Sequence, residues 1–317
     1  MIATGREPRA HPPQGSPRPR LVAPALALAV LAISFAAILF RFAPDLHPLT
    51  AAGWRLLTAG SLLTVFVRLR APSAPPDPLA PRPPSARGLV LLGGLAYALH
   101  FGAWVASLGM VTVVVSVTAV TTTPILLAGL GLVTGRDRPS PRVLLGLSLA
   151  LPGVVLLAIS AAPPATPSPA PTLGLGLALL GAAAMGAYFH VARRAVLAGT
   201  SPLAFSAAAT LLGGVLLIGA AALVGAPLLP KSAAEAWVVL LAAAVPQLVG
   251  HTLMTWSLRH TTPTVVALAT LGEPVLSSLL AALLLAEALT PLGVFSSLLT
   301  LGAVAFVLAR RPSETSS

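Results

Sequence analysis

The chain has 317 residues, of which 56% are hydrophobic and only 9% are charged. Soluble domains carry about 25% charged residues, so this composition excludes a soluble globular protein and indicates one that buries its surface in lipid. No cysteine is present, which excludes disulfides, thiolate metal sites and thiol chemistry. The net charge is +11, and the basic residues lie in short gaps between apolar stretches rather than in one basic patch. No nucleic-acid partner is therefore expected.

Ten segments are long and apolar enough to cross a bilayer as helices, because about 20 helical residues span the hydrocarbon core of ~30 Å. Helix is the expected state, since the backbone of an open strand cannot be satisfied in lipid. The predicted spans are 21–41, 49–67, 88–108, 112–134, 143–161, 172–192, 203–225, 236–257, 263–285 and 291–309.

Two tails and two longer Pro-rich segments, 68–87 and 162–171, lie outside the predicted spans, and both Pro-rich segments are expected to be extended linkers rather than domains. The Arg- and Pro-rich residues 1–20 are expected to form a disordered cytoplasmic tail, and residues 311–317 a second cytoplasmic tail. The Pro-rich segment 162–171 is expected to be an extended extracytoplasmic linker that separates two halves, 21–161 and 172–310.

The basic residues predict the orientation in the membrane. If the N-terminus lies in the cytoplasm, sixteen Arg fall on the cytoplasmic side, and only Arg41 and Lys231 fall outside. Positive residues are enriched in cytoplasmic loops, so both termini are expected to lie in the cytoplasm. The setting that we expect is a bacterial cytoplasmic membrane, which the protein crosses many times.

The second half repeats features of the first at an offset of 150 residues without gaps. Thr112 matches Thr262, and Pro124 matches Pro274. Five spans separate the copies, and this odd number inverts the second copy relative to the first. Inverted repeats are typical of secondary transporters, whose site lies at the repeat interface near the bilayer midplane.

Residues 257–293, SLRHTTPTVVALATLGEPVLSSLLAALLLAEALTPLG, resemble a known family signature. With the AGWRLL segment at 52–57, they are similar to the EamA branch of the drug/metabolite transporter superfamily. The resemblance covers residues 21–310 and includes Glu273, Pro274 and Glu287. It implies ten helices in two inverted five-helix EamA-like repeats, and export of small metabolites or drugs, with amino-acid-like solutes favoured.

Glu273 is a carboxylate in the middle of an apolar span, next to a proline. An ionisable residue at the midplane costs about 2.5–3.5 kcal/mol on insertion scales and usually faces a protein interior or a water-filled cavity. It is therefore a candidate for proton coupling or substrate contact. A protonated partner in an interhelical hydrogen bond is the structural alternative. Thr123 occupies the equivalent repeat position, and Pro124 and Pro274 are expected to kink their helices.

Two histidines, His100 and His251, lie inside spans 3 and 8 at nearly equivalent repeat positions, with Gln247 one turn before His251. Histidine suits proton coupling, although a neutral histidine that bonds neighbouring helices is the alternative for each residue. Tyr97, Trp104 and Tyr188 are expected either to line a cavity or to pack between helices.

Arg55 lies within span 2, close to its predicted outer end. We expect it to snorkel toward the membrane interface. The alternatives are an ion pair with Asp45 or a contact with an anionic substrate.

The chain has no P-loop, no HExxH motif and no Cys/His metal set, so we expect no cofactor, no metal and no ATP-driven step. The prediction is a secondary transporter, not an enzyme, that moves a small solute by alternating access, either proton-coupled or exchange-coupled. The competing interpretations are a non-transporting membrane scaffold, which needs no polar cavity, and an intramembrane enzyme. The sequence leaves a homodimer open.

Overall fold

The computed structural model describes residues 21–70, 86–160, 170–285 and 290–309. These ranges contain no strand, and ten helical stretches in them are long and apolar enough to cross a membrane. The predicted fold class is therefore confirmed. In chain order the spans, numbered 1 to 10, are Val22–Arg41, Pro48–Leu69, Arg87–Ser107, Val113–Thr134, Pro141–Ser160, Pro171–Leu197, Pro202–Leu223, Ala233–Ser257, Pro263–Leu284 and Pro291–Leu308.

Local sequence sets where the spans begin. Six of the ten begin with a proline, whose fixed φ and missing N–H suit the first turn of a helix. Thr290 caps span 10 by accepting a hydrogen bond from the Gly293 N–H at 3.0 Å. Span 6 ends at Leu197 rather than at the predicted residue 192, so Arg193 and Arg194 belong to its last turns.

Spans 4 and 9 are each broken in the middle. Span 4 consists of helices Val113–Val120 and Thr123–Thr134, and span 9 of Pro263–Ala269 and Gly272–Leu285. Pro124 and Pro274, which were expected to kink their helices, each lie directly beside such a break. Proline lacks the N–H that a helix interior needs, so each proline lies in the first turn of a new helix instead.

The two prolines occupy the same place in their spans. Pro124 is the twelfth residue of Val113–Thr134, and Pro274 is the twelfth residue of Pro263–Leu284. Each span has 22 residues, so both breaks lie near the middle of the bundle.

The ten spans pack in a two-fold pattern. Span 2 packs on span 7, span 4 on span 9, and span 5 on span 10. Span 3 packs on span 6, and its repeat equivalent, span 8, packs on span 1. In the same way, span 4 contacts span 6, and its equivalent, span 9, contacts span 1. Each of these contacts therefore equals itself or another of them when both spans are replaced by the spans five positions away in the chain. This pattern is what two inverted repeats of five helices require.

The close contact between spans 2 and 7 shows the same symmetry at atomic scale. A Cβ atom added to Gly60 would lie 2.5 Å from the backbone N of Leu211, and one added to Gly214 would lie 2.6 Å from the backbone N of Leu57. Gly60 and Gly214 are therefore equivalent, at an offset of 154 residues. The gapless offset of 150 holds for spans 4 and 9 but not for spans 2 and 7. The first repeat has four more residues between spans 2 and 4 than the second repeat has between spans 7 and 9.

Span 8 is not a regular α-helix. Residues Ala243–His251 form a π-helical stretch with Pro246 inside it, followed by α-helix Thr252–Ser257. The stretch packs on span 1, where a Cβ added to Gly250 would lie 2.5 Å from the Ile33 side chain. Span 3, its repeat equivalent, is α-helical from Ala86 to Ser107, so the two repeats differ here.

Several sequence-based expectations lie outside the described residues. These are the tails 1–20 and 311–317, residues 71–85 and 162–169 of the two predicted linkers, and Glu287 of the family resemblance.

Candidate functional site

A buried cavity lies at the centre of the bundle. The space in it that a water-sized molecule can occupy is about 30 Å³, which is room for about two waters. Every wall residue is at most 7% exposed, so the cavity is closed to both membrane faces. Spans 1, 2, 3, 4, 6, 8 and 9 contribute Ile33, Ala36, Arg55, His100, Phe101, Trp104, Val120, Thr121, Thr123, Met185, Phe189, His251, Met254, Thr270 and Glu273.

The two broken spans meet at this cavity. Thr121 and Thr123 flank the break in span 4, and Thr270 and Glu273 flank the break in span 9. The second half of each span therefore begins at the cavity wall. A helix N-terminus carries a partial positive charge, so this geometry favours a negatively charged group inside the cavity.

Arg55 is completely buried, with no exposed surface, and forms part of the cavity wall. The expectation that it snorkels to the interface was therefore wrong. Span 2 turns this side chain toward span 3, where the guanidinium carbon lies 4.5 Å from the ring centre of Phe101 and 6.0 Å from that of Trp104. These rings supply cation–π attraction. None of the three guanidinium nitrogens has a hydrogen-bond partner in the protein.

The two histidines come together in the cavity, with ring centres 6.4 Å apart. His100 Nδ1 lies 2.8 Å from the Gly181 carbonyl oxygen. A carbonyl only accepts, so His100 Nδ1 carries a proton. His251 Nδ1 has no partner in the protein. The pair therefore offers one fixed ring and one ring that is free to bond.

Glu273 is 7% exposed and is the only acid among the described residues that line the cavity. Its charge and that of Arg55 act on each other across the space, although no Arg55 nitrogen forms a hydrogen bond. The structure thus brings together one buried cation, one buried carboxyl group and two histidines.

A comparison with protein families decides what kind of chain this is. The model of the EamA-like transporter family matches residues 21–159 and 172–309. The chain belongs to this family. The match confirms the resemblance to the drug/metabolite transporter superfamily, and it makes the chain a multi-pass membrane protein of a family whose members are transporters rather than enzymes.

Several solved structures match this EamA-family chain, and one of them is a crystal structure that shares its fold. It is 17% identical in sequence, with a TM-score of 0.73 over 90% of this chain and 96% of its own. At this identity the likeness shows the fold alone. No curated protein gives a significant match to the chain.

The other predicted site residues divide into two groups. Trp104 and Thr123 line the cavity, and Thr123 donates a hydrogen bond to the Ala182 carbonyl at 3.0 Å. Tyr97 and Gln247 do not line it, although both are buried. Tyr97 stacks on Tyr188 instead, and the Gln247 amide has no partner in the protein.

Sequence reasoning missed several wall residues of this EamA-family site. Phe101 and Phe189 carry no signal in a chain that is so rich in apolar residues. Thr270 did carry one, because it is polar and lies three residues before Glu273, a spacing that places both on one helix face.

A second, smaller crevice lies between spans 1, 4 and 9, on the side that the Arg distribution predicts to be extracytoplasmic. Pro274, Ser277 and Ser278 belong to its wall, and Arg41 lies in it as well. Because Pro274 follows Glu273 directly, this crevice lies next to the central cavity.

Proposed function

We propose that this chain is a secondary transporter that exports a small amino-acid-like solute across the cytoplasmic membrane by alternating access. The central cavity is the place where the solute binds between the two repeats. The observation that carries the proposal is Arg55, a buried cation on the cavity wall with three unpartnered nitrogens.

The unpartnered guanidinium explains the preference for a carboxylate. Leaving a buried polar group without a hydrogen bond costs about 1–3 kcal/mol, and more for a charged group. A carboxylate matches the planar guanidinium fork with two parallel hydrogen bonds. The two half-helix N-termini favour the same charge. A solute carboxylate therefore restores to Arg55 the hydrogen bonds that burial has removed.

Glu273 supplies the complementary charge for a solute ammonium group. A solute that carries both groups leaves the loaded cavity without excess charge, which matters because an uncompensated buried ion is expensive. Phe101, Trp104 and Phe189 give the cavity apolar walls for the remainder of the solute. The cavity as it stands has room for only about two water molecules, so its walls must move apart to admit a solute.

Competition between a proton and the solute for Glu273 couples proton entry to solute export. A proton and a solute ammonium group bind the same carboxylate, so one leaves when the other arrives. Protons that enter from the outside then drive solute outward. Exchange of one solute for another needs no proton and uses the same two charges.

The polar cavity argues against a scaffold, which would be stable with a filled apolar centre. An intramembrane enzyme needs two reactive groups at a common depth, and Glu273 with His251 meets that condition. Membership of a transporter family favours transport over this alternative.

The test is a thermal-shift assay on the purified full chain with matched probes. Each set contains an amino acid, the amine that lacks its carboxylate and the acid that lacks its amino group. We expect only the zwitterion to raise the Tm strongly. In the Arg55→Gln variant, the amino acid should stabilise the protein no more than its amine does. Equal stabilisation of the wild-type chain by amino acid and amine would exclude carboxylate recognition by Arg55. Uptake of the stabilising solute into proteoliposomes then tests transport itself.

A further inference from the structure

A second polar cluster lies behind the cavity, between spans 3, 6, 7 and 8. Its centre is the ring pair Tyr97 and Tyr188, stacked at 3.6 Å between centres with an angle of 14°. The Tyr188 hydroxyl bonds the Thr255 hydroxyl at 2.8 Å, and Ser206 lies close to the same hydroxyl. Thr210 follows one turn after Ser206 on span 7. None of these side chains lines the cavity.

Three hydroxyl groups of this cluster make no hydrogen bond of good geometry in the protein, although they are fully buried and two of them lie near the bonded hydroxyls of Tyr188 and Thr255. The three groups belong to Tyr97, Ser206 and Thr210. Buried serines and threonines in helices commonly donate to a carbonyl one turn earlier, as Thr300 does at 2.9 Å. Ser206 and Thr210 do not, so their hydroxyls are not used within their own helix.

The cluster connects the cavity to one end of the bundle. On the cavity side, the Tyr97 ring lies edge-on to His251, with centres 5.9 Å apart, and His251 Nδ1 is also unpartnered. On the other side, Ser206 is the fifth residue of Pro202–Leu223, and Thr255 is two residues from the end of Ala233–Ser257. The Arg distribution predicts that these two span ends face the cytoplasm.

The other half of the bundle is apolar at the positions equivalent to Ser206, Thr210 and Thr255, whereas Gln247, at the offset of 150 from Tyr97, is polar and also without a partner. At the offset of 154 that relates Gly60 to Gly214, Ser206 corresponds to Ala52 and Thr210 to Leu56. At the offset of 150 that relates the paired prolines, Thr255 corresponds to Val105. The hydroxyls of Ser206, Thr210 and Thr255 are therefore a feature of one half of the protein and are not produced by the repeat.

We propose that spans 3, 6, 7 and 8 form a buried water-binding site between the cavity and the cytoplasmic end, and that bound water there carries protons to and from His251. Buried water typically makes about three hydrogen bonds to polar groups that otherwise have no partner. The unpartnered hydroxyls of Tyr97, Ser206 and Thr210 are such groups. The stacked tyrosine rings block solute, whereas a proton passes along hydroxyls and water.

His251 is the cavity-side end of this route, and its surroundings fit that role. The titratable and charged groups around it are His100, Arg55 and Tyr97, and Glu273 lies on the same cavity. A proton delivered to His251 thus reaches the space that contains Glu273 without solute-sized opening of the cytoplasmic side. The proton role rests on the proposed transport function, whereas the water site stands independently of it.

Hydroxyl-radical footprinting by X-ray pulses tests the water site, because radicals formed from bound water oxidise the side chains beside it. The full chain is irradiated in lipid nanodiscs, and oxidation is mapped by mass spectrometry. We expect clear oxidation of buried Tyr97 and Tyr188, and its loss in the Ser206→Ala/Thr210→Val double variant. Thr300→Val is the matched control, since this buried hydroxyl is already bonded within its own helix. Absence of tyrosine oxidation in the wild type, or oxidation that the double variant leaves unchanged, would overturn the water site.

A transport assay tests the proton role with the same double variant. In proteoliposomes, it should lose solute accumulation driven by a pH gradient but retain solute-for-solute exchange. Equal loss of both activities would assign Ser206 and Thr210 a structural role only, and no loss of either would exclude the route. If no solute is transported by the wild type, the proposed function fails, and footprinting alone still decides whether water is bound.

Discussion

The guanidinium carbon of Arg55 lies 4.5 Å from the ring centre of Phe101, and no hydrogen bond holds its nitrogens. The Arg55 side chain therefore packs against an aromatic ring in the wall of the central cavity. An aromatic face attracts a cation but does not replace its lost hydrogen bonds. Substitution of Arg55 should therefore change the binding of a carboxylate solute without lowering the stability of the unliganded protein.

Arg55→Leu should leave the unliganded protein about as stable as the wild type, because the charge that it removes has no hydrogen bonds and because the Glu273 carboxyl group, left without a nearby cation, takes up a proton and becomes neutral. The same change should weaken binding of a carboxylate solute by about tenfold or more, since a hydrogen bond to a charged group contributes about 1.5–3 kcal/mol. The Tm of the purified chain, with and without solute, measures both effects. Arg55→Lys keeps the charge but not the fork, so it should recover only part of the affinity. A Tm that falls sharply without solute, with affinity unchanged, would mean that Arg55 is structural.

Glu273→Gln should retain membrane insertion and abundance, because it keeps the shape of the side chain and a hydrogen-bonding group, but it should lose pH-dependent transport. Glu273→Leu should insert at least as well, since it removes an ionisable group from the midplane, and should also be inactive. The measurement is solute transport in proteoliposomes with and without a pH gradient. Wild-type rates and unchanged pH dependence in Glu273→Gln would show that the carboxyl group is structural.

Gly214→Ala should destabilise the bundle, because its new Cβ would lie 2.6 Å from the Leu57 backbone N. Overpacking of this kind costs about 1–3 kcal/mol. Gly219→Ala in the same span is the matched control, since no atom lies within 4 Å of its added Cβ. Thermal unfolding in detergent should show a lower Tm for Gly214→Ala only. If the two variants unfold at the same temperature, the close contact of spans 2 and 7 is not a tight one.

Orientation is testable by labelling, because the chain contains no cysteine. Single cysteines at the exposed positions Arg138 and Leu229 should lie on opposite sides of the membrane. A membrane-impermeant thiol reagent added to intact cells should label Leu229→Cys and leave Arg138→Cys unlabelled until the membrane is opened. The reverse pattern would overturn the cytoplasmic placement of both termini.

The amino-acid sequence by itself determined the membrane class, the ten spans and the inverted repeat. These features depend on local apolar length and on the order of residues along the chain, which need no knowledge of contacts between distant segments. Glu273 stood out for the same reason, as an ionisable residue within an apolar run.

Only the tertiary structure decided where Arg55 points, which residues share the cavity and where the repeats differ. Sequence reasoning sent Arg55 to the interface because a lone long cation near a helix end normally reaches water. The side of span 2 that faces span 3 depends on how span 2 packs against span 7, which lies far from it in the sequence. The stacking of Tyr97 on Tyr188 and the four-residue shift between spans 2 and 7 arise in the same way, from helices that meet only after the chain has folded.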